Sequence, residues 1–224
     1  EEIHNILKRK AAEGVEVKII FDDFGSIKRQ SKGFLEKLRK ENIKVAVFNK
    51  INLLVNIFIN NRNHRKIIII DGELAFTGGV NIGDEYINRV RRFGHWMDCG
   101  IALYGKAVKS FLAMFCIMWE FVTGKRIDFK EHLDDGFSYD DAFVVPYSDG
   151  PLNGKNPAEG IYMQILNSAQ RYVYIMTPYL ILDESMIQAI CMAVRKGVDV
   201  RIITPKIPDK KSVYMLTKYN YGQL

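Results

Sequence analysis

The sequence predicts an α/β protein in which one helix-to-strand unit occurs twice, the two copies being joined by a loop-rich connection. Three observations predict it: a Gly-Val-acid-Val-base-Ile-Ile segment that appears twice, an apolar helical face ahead of each copy, and a continuous isoleucine run between them. With 224 residues, 48% of them hydrophobic, the chain can bury a substantial core, which excludes a disordered protein and fits one large domain or two small ones.

In the first copy, Ile3, Ile6, Leu7 and Ala11 recur at helical spacing, Gly14 stops the helix, and Val15 to Ile20 reads as a strand. In the second, Asp183 is placed to cap a helix whose face is Met186, Ile187, Ile190 and Val194. Gly197 stops that helix, and Val198 to Ile203 is the strand. Tyr172 to Thr177 reads as a further strand ahead of this helix, closed by Pro178, and the first copy has no room for its equivalent. The Asp-, Gly- and Pro-rich stretch from Asp128 to Pro157 is the natural connection. The expected organisation is a first half over 1–127, a connecting region over 128–157 and a partial second half over 158–224.

Between the copies, Asn63 to Gly72 reads as a buried parallel strand, because its isoleucines are consecutive instead of alternating with polar residues. His64 and Lys66 lie two apart, so on a strand they share a face, while Arg65 points away. Asp71 lies at the far end, in the turn signalled by Asp71-Gly72. The strand from Leu74 to Thr77 then runs into Gly78-Gly79-Val80-Asn81. This residue set suits phosphoryl chemistry. An imidazole can attack phosphorus, an ammonium can offset charge on the non-bridging oxygens, and an Asn or the backbone amides of paired glycines can donate hydrogen bonds. No metal or other cofactor is required.

His-x-Lys, four residues, Asp, then Gly-Gly-Val-Asn and Ile-Gly-Asp-Glu-Tyr resembles the signature of the phospholipase D superfamily. Within it, Asn63-His64-Arg65-Lys66 and Phe76 through Tyr86 look most like bacterial cardiolipin synthases, as does Thr177-Pro178-Tyr179 with the repeat after it. Pro208 to Lys211 and Tyr219-Asn220-Tyr221 resemble the stretch that precedes a second such motif, so the resemblance covers essentially the whole chain. The departure is that a second His-Lys-Asp motif is not present. The first motif starts 50 residues after Gly14, whereas 27 residues follow Gly197, so a second is expected beyond Leu224. Together with the lack of an initiator Met and of a signal peptide, this predicts an excerpt of a longer protein, truncated at both ends.

The resemblance implies a phospholipase D-like α/β/α sandwich of two pseudo-symmetric halves whose motifs meet at a pseudo-twofold axis. It implies a transphosphatidylase that converts two phosphatidylglycerols to cardiolipin and glycerol through a phosphohistidine. Carried over by position, His64 is the nucleophile or the acid-base residue, Lys66 a phosphate clamp and Asp71 a motif carboxylate, with Asn81, Gly78 and Gly79 as weaker substrate-binding candidates. Acid-base assistance of this kind is generally worth roughly 10²–10⁴-fold in rate. The implied partners are phosphatidylglycerol, an anionic membrane surface and a second half-site from the rest of the parent protein. That parent is expected at the bacterial cell membrane, with the catalytic region facing the cytoplasm and the fragment alone lacking an acid-base partner.

Other signals are weaker. The net charge of +6 favours anionic partners without choosing between lipid headgroups and nucleic acid. A phosphodiesterase or nuclease of the same superfamily is the enzyme alternative, although the aromatic residues form no stacking ladder. A homodimer pairing two copies of His64 is another route to a composite site, which the partial second half is expected to obstruct. Cys99, Cys116 and Cys191 are expected to be buried thiols, and Phe111 to Val122 a core helix too short to span a bilayer. Leu53 to Ile59 reads as a buried strand, the alternative being a segment that dips into the membrane interface near the site mouth, and Arg89 to Arg92 as either a headgroup contact or a solvated face. Trp96 is expected in the core with Asp98 accepting a nearby hydrogen bond, while His4, His95 and His132 are expected to be surface or structural.

Overall fold

The computed structural model describes residues 2–23, 33–50, 61–128, 143–150 and 156–224. The expected strand at Leu53 to Ile59, His132 and much of the 128–157 connection lie outside them. The chain divides into two compact units, one of residues 1–80 and 99–146, the other of residues 81–98 and 147–224.

In the first unit, helix α1 (Glu2–Ala12) leads into strand β1 (Lys18–Asp22), and helix α2 (Phe34–Lys40) leads into strand β2 (Lys44–Phe48). The two strands pair in parallel from Lys18↔Lys44 to Asp22↔Phe48. Parallel pairing needs a crossover connection, and α2 lies in it. One face of the pair is closed by α1 and α2, where Ala11, Leu38 and Ile43 are buried against Leu7, Ile19, Phe21 and Val45. Lys18 and Lys44 face each other across the register, and the Glu16 carboxylate hydrogen-bonds both ammonium groups. Those two bonds hold the Glu16 carboxyl down at about 2.

A three-stranded antiparallel sheet follows: β3 (Ile67–Ile70), β4 (Leu74–Gly78) and β5 (Gly100–Tyr104), in the order β3-β4-β5. Here the expectation of a buried parallel strand is corrected. β3 is antiparallel to β4, and its burial alternates: Ile67 and Ile69 pack on Ala75, Val108 and Phe111, while Ile68 and Ile70 are about half exposed. Consecutive isoleucines therefore do not mean two covered faces. The turn at Ile70–Glu73 closes with Glu73 N–H donating to Ile70 O at 3.1 Å, with Asp71 and Gly72 both at positive φ (53° and 73°). That is the mirror-image turn whose twist matches a two-stranded ribbon, and Asp-Gly tolerates it.

Helix α3 (Ala107–Thr123) packs its Val108, Phe111, Cys116 and Trp119 inward and touches β2, β3, β4 and β5. The expected core helix is thus one-sided, since Ile117 and Phe121 remain exposed. Among the described residues, no helix is long and apolar enough to cross a membrane. Of the cysteines, Cys116 is buried, Cys191 half-buried and Cys99 exposed, which corrects the expectation for Cys99.

The second unit is built on helix α4 (Pro157–Ser168), strand β6 (Tyr172–Met176), helix α5 (Glu184–Arg195), strand β7 (Asp199–Ile203) and helix α6 (Lys211–Tyr221). β6 and β7 are parallel, with α5 in the crossover. Their core is Leu166, Val173, Ala189, Ile190, Ala193 and Val198. Asp183 caps α5 as expected, its carboxylate accepting from Met186 N–H at 2.8 Å.

The two copies of the repeat end their helices identically. Val15 N–H donates to Lys10 O and Gly14 N–H to Ala11 O, and Val198 N–H donates to Ala193 O and Gly197 N–H to Val194 O. Both glycines are left-handed, at φ 92° and 87°. This double bond pattern is the Schellman closure, and glycine suits its left-handed residue. A third instance closes α2, where Ile43 N–H donates to Leu38 O and Asn42 N–H to Arg39 O, with Asn42 at φ 62°.

Candidate active site

The segment that carries the His-x-Lys pair precedes β3 and lies outside its ladder, since the strand begins at Ile67. It is held instead at the C-terminal ends of β1 and β2. Asn63 N–H donates to Asp22 Oδ2 at 2.8 Å, and Arg62 Nη1 donates to Asn49 O at 3.0 Å and lies 3.5 Å from Asp22 Oδ1. Asn49 Nδ2 donates to Asn61 O at 2.8 Å. The carboxyl edge of parallel strands is where open α/β sheets place ligands, because loops there diverge and leave a crevice. Asp22 and Asn49 occupy that edge by being the last residue of β1 and the first after β2.

Within the segment, Asn63 Oδ1 accepts from Arg65 N–H at 3.2 Å, and Lys66 Nζ donates to His64 O at 2.8 Å. The ammonium thus folds back along the backbone that carries the imidazole, and His64 is exposed. Extending the β3–β4 register by one residue from Ile67↔Thr77 sets Lys66 beside Gly78, and Gly78 pairs with Gly100 of β5. The strand end next to the His-x-Lys segment is thus formed by two residues without side chains. Gly78 has no alternative: a Cβ there would lie 2.4 Å from Cys99 O and 2.6 Å from Gly100 Cα. Gly79 N–H donates to Cys99 O at 3.1 Å.

The other expected residues are placed differently. Asp71 sits in the turn at the opposite end of β3, about 16 Å along the strand from Lys66 at roughly 3.3 Å per residue. That separation keeps its carboxylate from sharing one phosphate with the Lys66 end. Asn81 belongs to the second unit. Gly100, Asp22, Asn49 and Arg62 were not singled out by the sequence reading. Their signal is positional, since Asp22, Asn49 and Gly100 lie at strand ends and Arg62 in the segment that meets them, and it becomes visible only once the register is known.

In the second unit, the Thr177-Pro178-Tyr179 stretch is fastened by α6. Leu180, itself buried, gives its N–H to Thr217 Oγ1 at 3.1 Å, and its carbonyl accepts from Asn220 Nδ2 at 2.9 Å. Thr217 and Asn220 are three apart on one helix face, both buried, and so satisfy both backbone groups of one residue. Tyr179 donates its hydroxyl to Asp209 Oδ2 at 2.5 Å, with Lys210 Nζ 5.3 Å from its ring centroid. Burial, reinforced by the Asp209 carboxylate, pushes the phenol well above its ordinary value. Trp96 donates to Asp98 Oδ2 at 3.1 Å as expected, but it is half-buried among the Tyr86 and Phe93 rings and not in the core. His4 pairs with Glu41 at 2.5 Å, a structural role, and His95 is exposed.

A mixed α/β chain with a His-x-Lys segment beside a glycine-paired strand end belongs to the phospholipase D-like class, and the comparisons agree. The sequence matches the family described as "Cardiolipin synthase, PLD-like domain" over residues 1–110 and 162–224, and the chain belongs to that family. It is 45% identical to a Streptococcus mutans serotype c protein described as uncharacterized, over all of this chain and 49% of that one. It is 38% identical to a Listeria innocua cardiolipin synthase (98% of this chain, 46% of the relative) and 36% identical to one from Geobacillus sp. (100% and 45%). The chain thus spans about half the length of the curated relatives it matches. In fold it is similar to phosphatidylserine synthase from Haemophilus influenzae Rd KW20, with TM-score 0.58, 14% identity and coverage of 99% of this chain and 58% of that one.

Proposed function

We propose that the protein carrying this chain is a phosphatidyltransferase that converts two phosphatidylglycerols to cardiolipin and glycerol, and that residues 61–79 contribute one half of its reaction centre. The observation that carries the reading is an exposed His64 on an anchored segment, with Lys66 folded beside it ahead of a sheet whose strand end pairs Gly78 with Gly100, in a chain of the cardiolipin synthase family. Residues 1–127 form the first half in this reading, 128–157 the connection and 158–224 part of the second. A second histidine comes from beyond this chain.

The chemistry balances with two histidines. One imidazole nitrogen attacks phosphorus as the P–O bond to the glycerol headgroup breaks, and the other imidazole gives the departing alkoxide its proton. The second phosphatidylglycerol then loses a hydroxyl proton to that imidazole, its oxygen attacks phosphorus, and the P–N bond breaks. Lys66 offsets charge on the non-bridging oxygens, and Gly78 and Gly79 shape the backbone around them. Asp71 acts at a distance, by holding the β3–β4 turn. His64 fills either of the two histidine roles. The substrate places the enzyme at an anionic membrane surface, and this fragment alone, with one motif, is expected to be inactive.

The test is product identity. The full-length protein, given radiolabelled phosphatidylglycerol vesicles and, separately, a single-stranded oligonucleotide, is expected to release cardiolipin and glycerol in equal amounts and to leave the oligonucleotide intact. Cleavage of the oligonucleotide with no lipid turnover would replace the reading with a superfamily nuclease.

A further inference from the structure

We propose that Asp22 is a positioning residue for the reacting segment, fixing His64 and Lys66 in space by anchoring Arg62 and the Asn63 backbone to the end of β1. The proposal rests on the phosphatidyl-transfer reading of His64 and Lys66 and extends it to a residue some forty positions away in sequence.

Residues 61–66 precede β3, which begins at Ile67. Asp22 supplies two attachments to them. Its Oδ2 accepts from Asn63 N–H at 2.8 Å, one residue before His64, while its Oδ1 faces the Arg62 guanidinium at 3.5 Å. Asn49 completes the tether by accepting from Arg62 at its carbonyl and donating to Asn61 O. Asp22 is itself fixed, since it is the last residue of β1 and is in register with Phe48 of β2. The side chains of Asp22 and Arg62 are 9% and 17% exposed, so removing the carboxylate takes a charged neighbour from a mostly buried guanidinium and the acceptor from the Asn63 amide. Displacing a reacting group by about 1 Å can cost on the order of 10²-fold in rate, which is the scale on which such a tether acts.

Two substitutions separate the parts. Asp22→Ala removes both attachments, whereas Asp22→Asn keeps an oxygen that accepts from Asn63 N–H and loses the charge toward Arg62. The experiment measures both variants in the full-length protein, following hydrogen exchange of residues 61–66 and steady-state cardiolipin formation from phosphatidylglycerol vesicles, per folded molecule. Expected for Asp22→Ala are exchange in 61–66 faster by about tenfold or more with β4 and β5 unchanged, and kcat lower by about 10- to 100-fold at nearly constant KM. Asp22→Asn should recover part of both. Unchanged exchange in 61–66, or a wild-type kcat per folded molecule, overturns the proposal. A wild-type protein that turns over no phospholipid sinks the phosphatidyl-transfer reading instead, and the exchange result alone then decides whether Asp22 anchors the segment.

Discussion

At Gly78 a side chain would meet the backbone of β5, because its Cβ direction runs into Cys99 O and Gly100 Cα. Neither obstacle is the end of a flexible side chain, so an added methyl has to move a strand. Gly78→Ala is therefore expected to destabilise the protein by about 1–3 kcal/mol, the usual range for an overpacked site, read as a lower urea midpoint at unchanged slope. An unchanged midpoint would mean that β4 and β5 are less closely paired than described. The same residue scale shows what a sequence can and cannot display. His64, Lys66 and Gly78 stand out because their types and spacing already suit a phosphate. Asp22 and Asn49 do not, since an Asp at the end of one strand and an Asn after another acquire meaning only when β1 and β2 pair and bring residues 61–63 to their ends.

At the scale of elements, the helix-to-strand junctions were the most legible feature, because the Schellman closure needs a left-handed residue and glycine announces it at positions 14 and 197. The α2–β2 junction was missed because Asn42 fills that place, and an Asn in sequence is compatible with many turns. Strand direction was misjudged at β3. Four isoleucines look equally apolar on both faces, and only the packing of α3 on Ile67 and Ile69 distinguishes the covered face from the open one. The β1–β2 pair makes a prediction about pH. Glu16 neutralises two lysines that the parallel register sets side by side, and its carboxyl is lowered from 4.5 to about 2. A depressed carboxyl stabilises the fold above its unfolded value and loses that contribution as pH falls toward the folded one. The group is half-exposed, so solvent screening limits each pair to about 0.2–1 kcal/mol. Glu16→Gln should lower the urea midpoint slightly at pH 6, and the gap to wild type should close between about pH 5 and pH 2; a gap that stays constant across that range would contradict the assignment.

At the scale of the whole chain, the first unit holds its reacting segment between two sheets of different kind: a parallel pair whose ends tether it, and an antiparallel sheet into which it continues. The second unit repeats the parallel pair and fastens the segment after β6 by a different device, the Thr217 and Asn220 side chains of α6. In the first unit the corresponding anchors are the strand-end residues Asp22 and Asn49. The α/β class and the family were readable from the repeat and the motif, and the family match covers most of the chain. The third strand of the antiparallel sheet was not readable, because β5 lies more than twenty residues beyond β4 and carries no motif of its own.

The central claim is that His64 takes a direct part in phosphatidyl transfer. The measurement that tests it most directly is the initial rate of cardiolipin formation from phosphatidylglycerol vesicles by the full-length protein and by its His64→Ala variant, compared at equal folded protein. A loss of at least roughly 10²-fold with vesicle binding retained is the predicted result. A variant that forms cardiolipin at the wild-type rate would contradict the account.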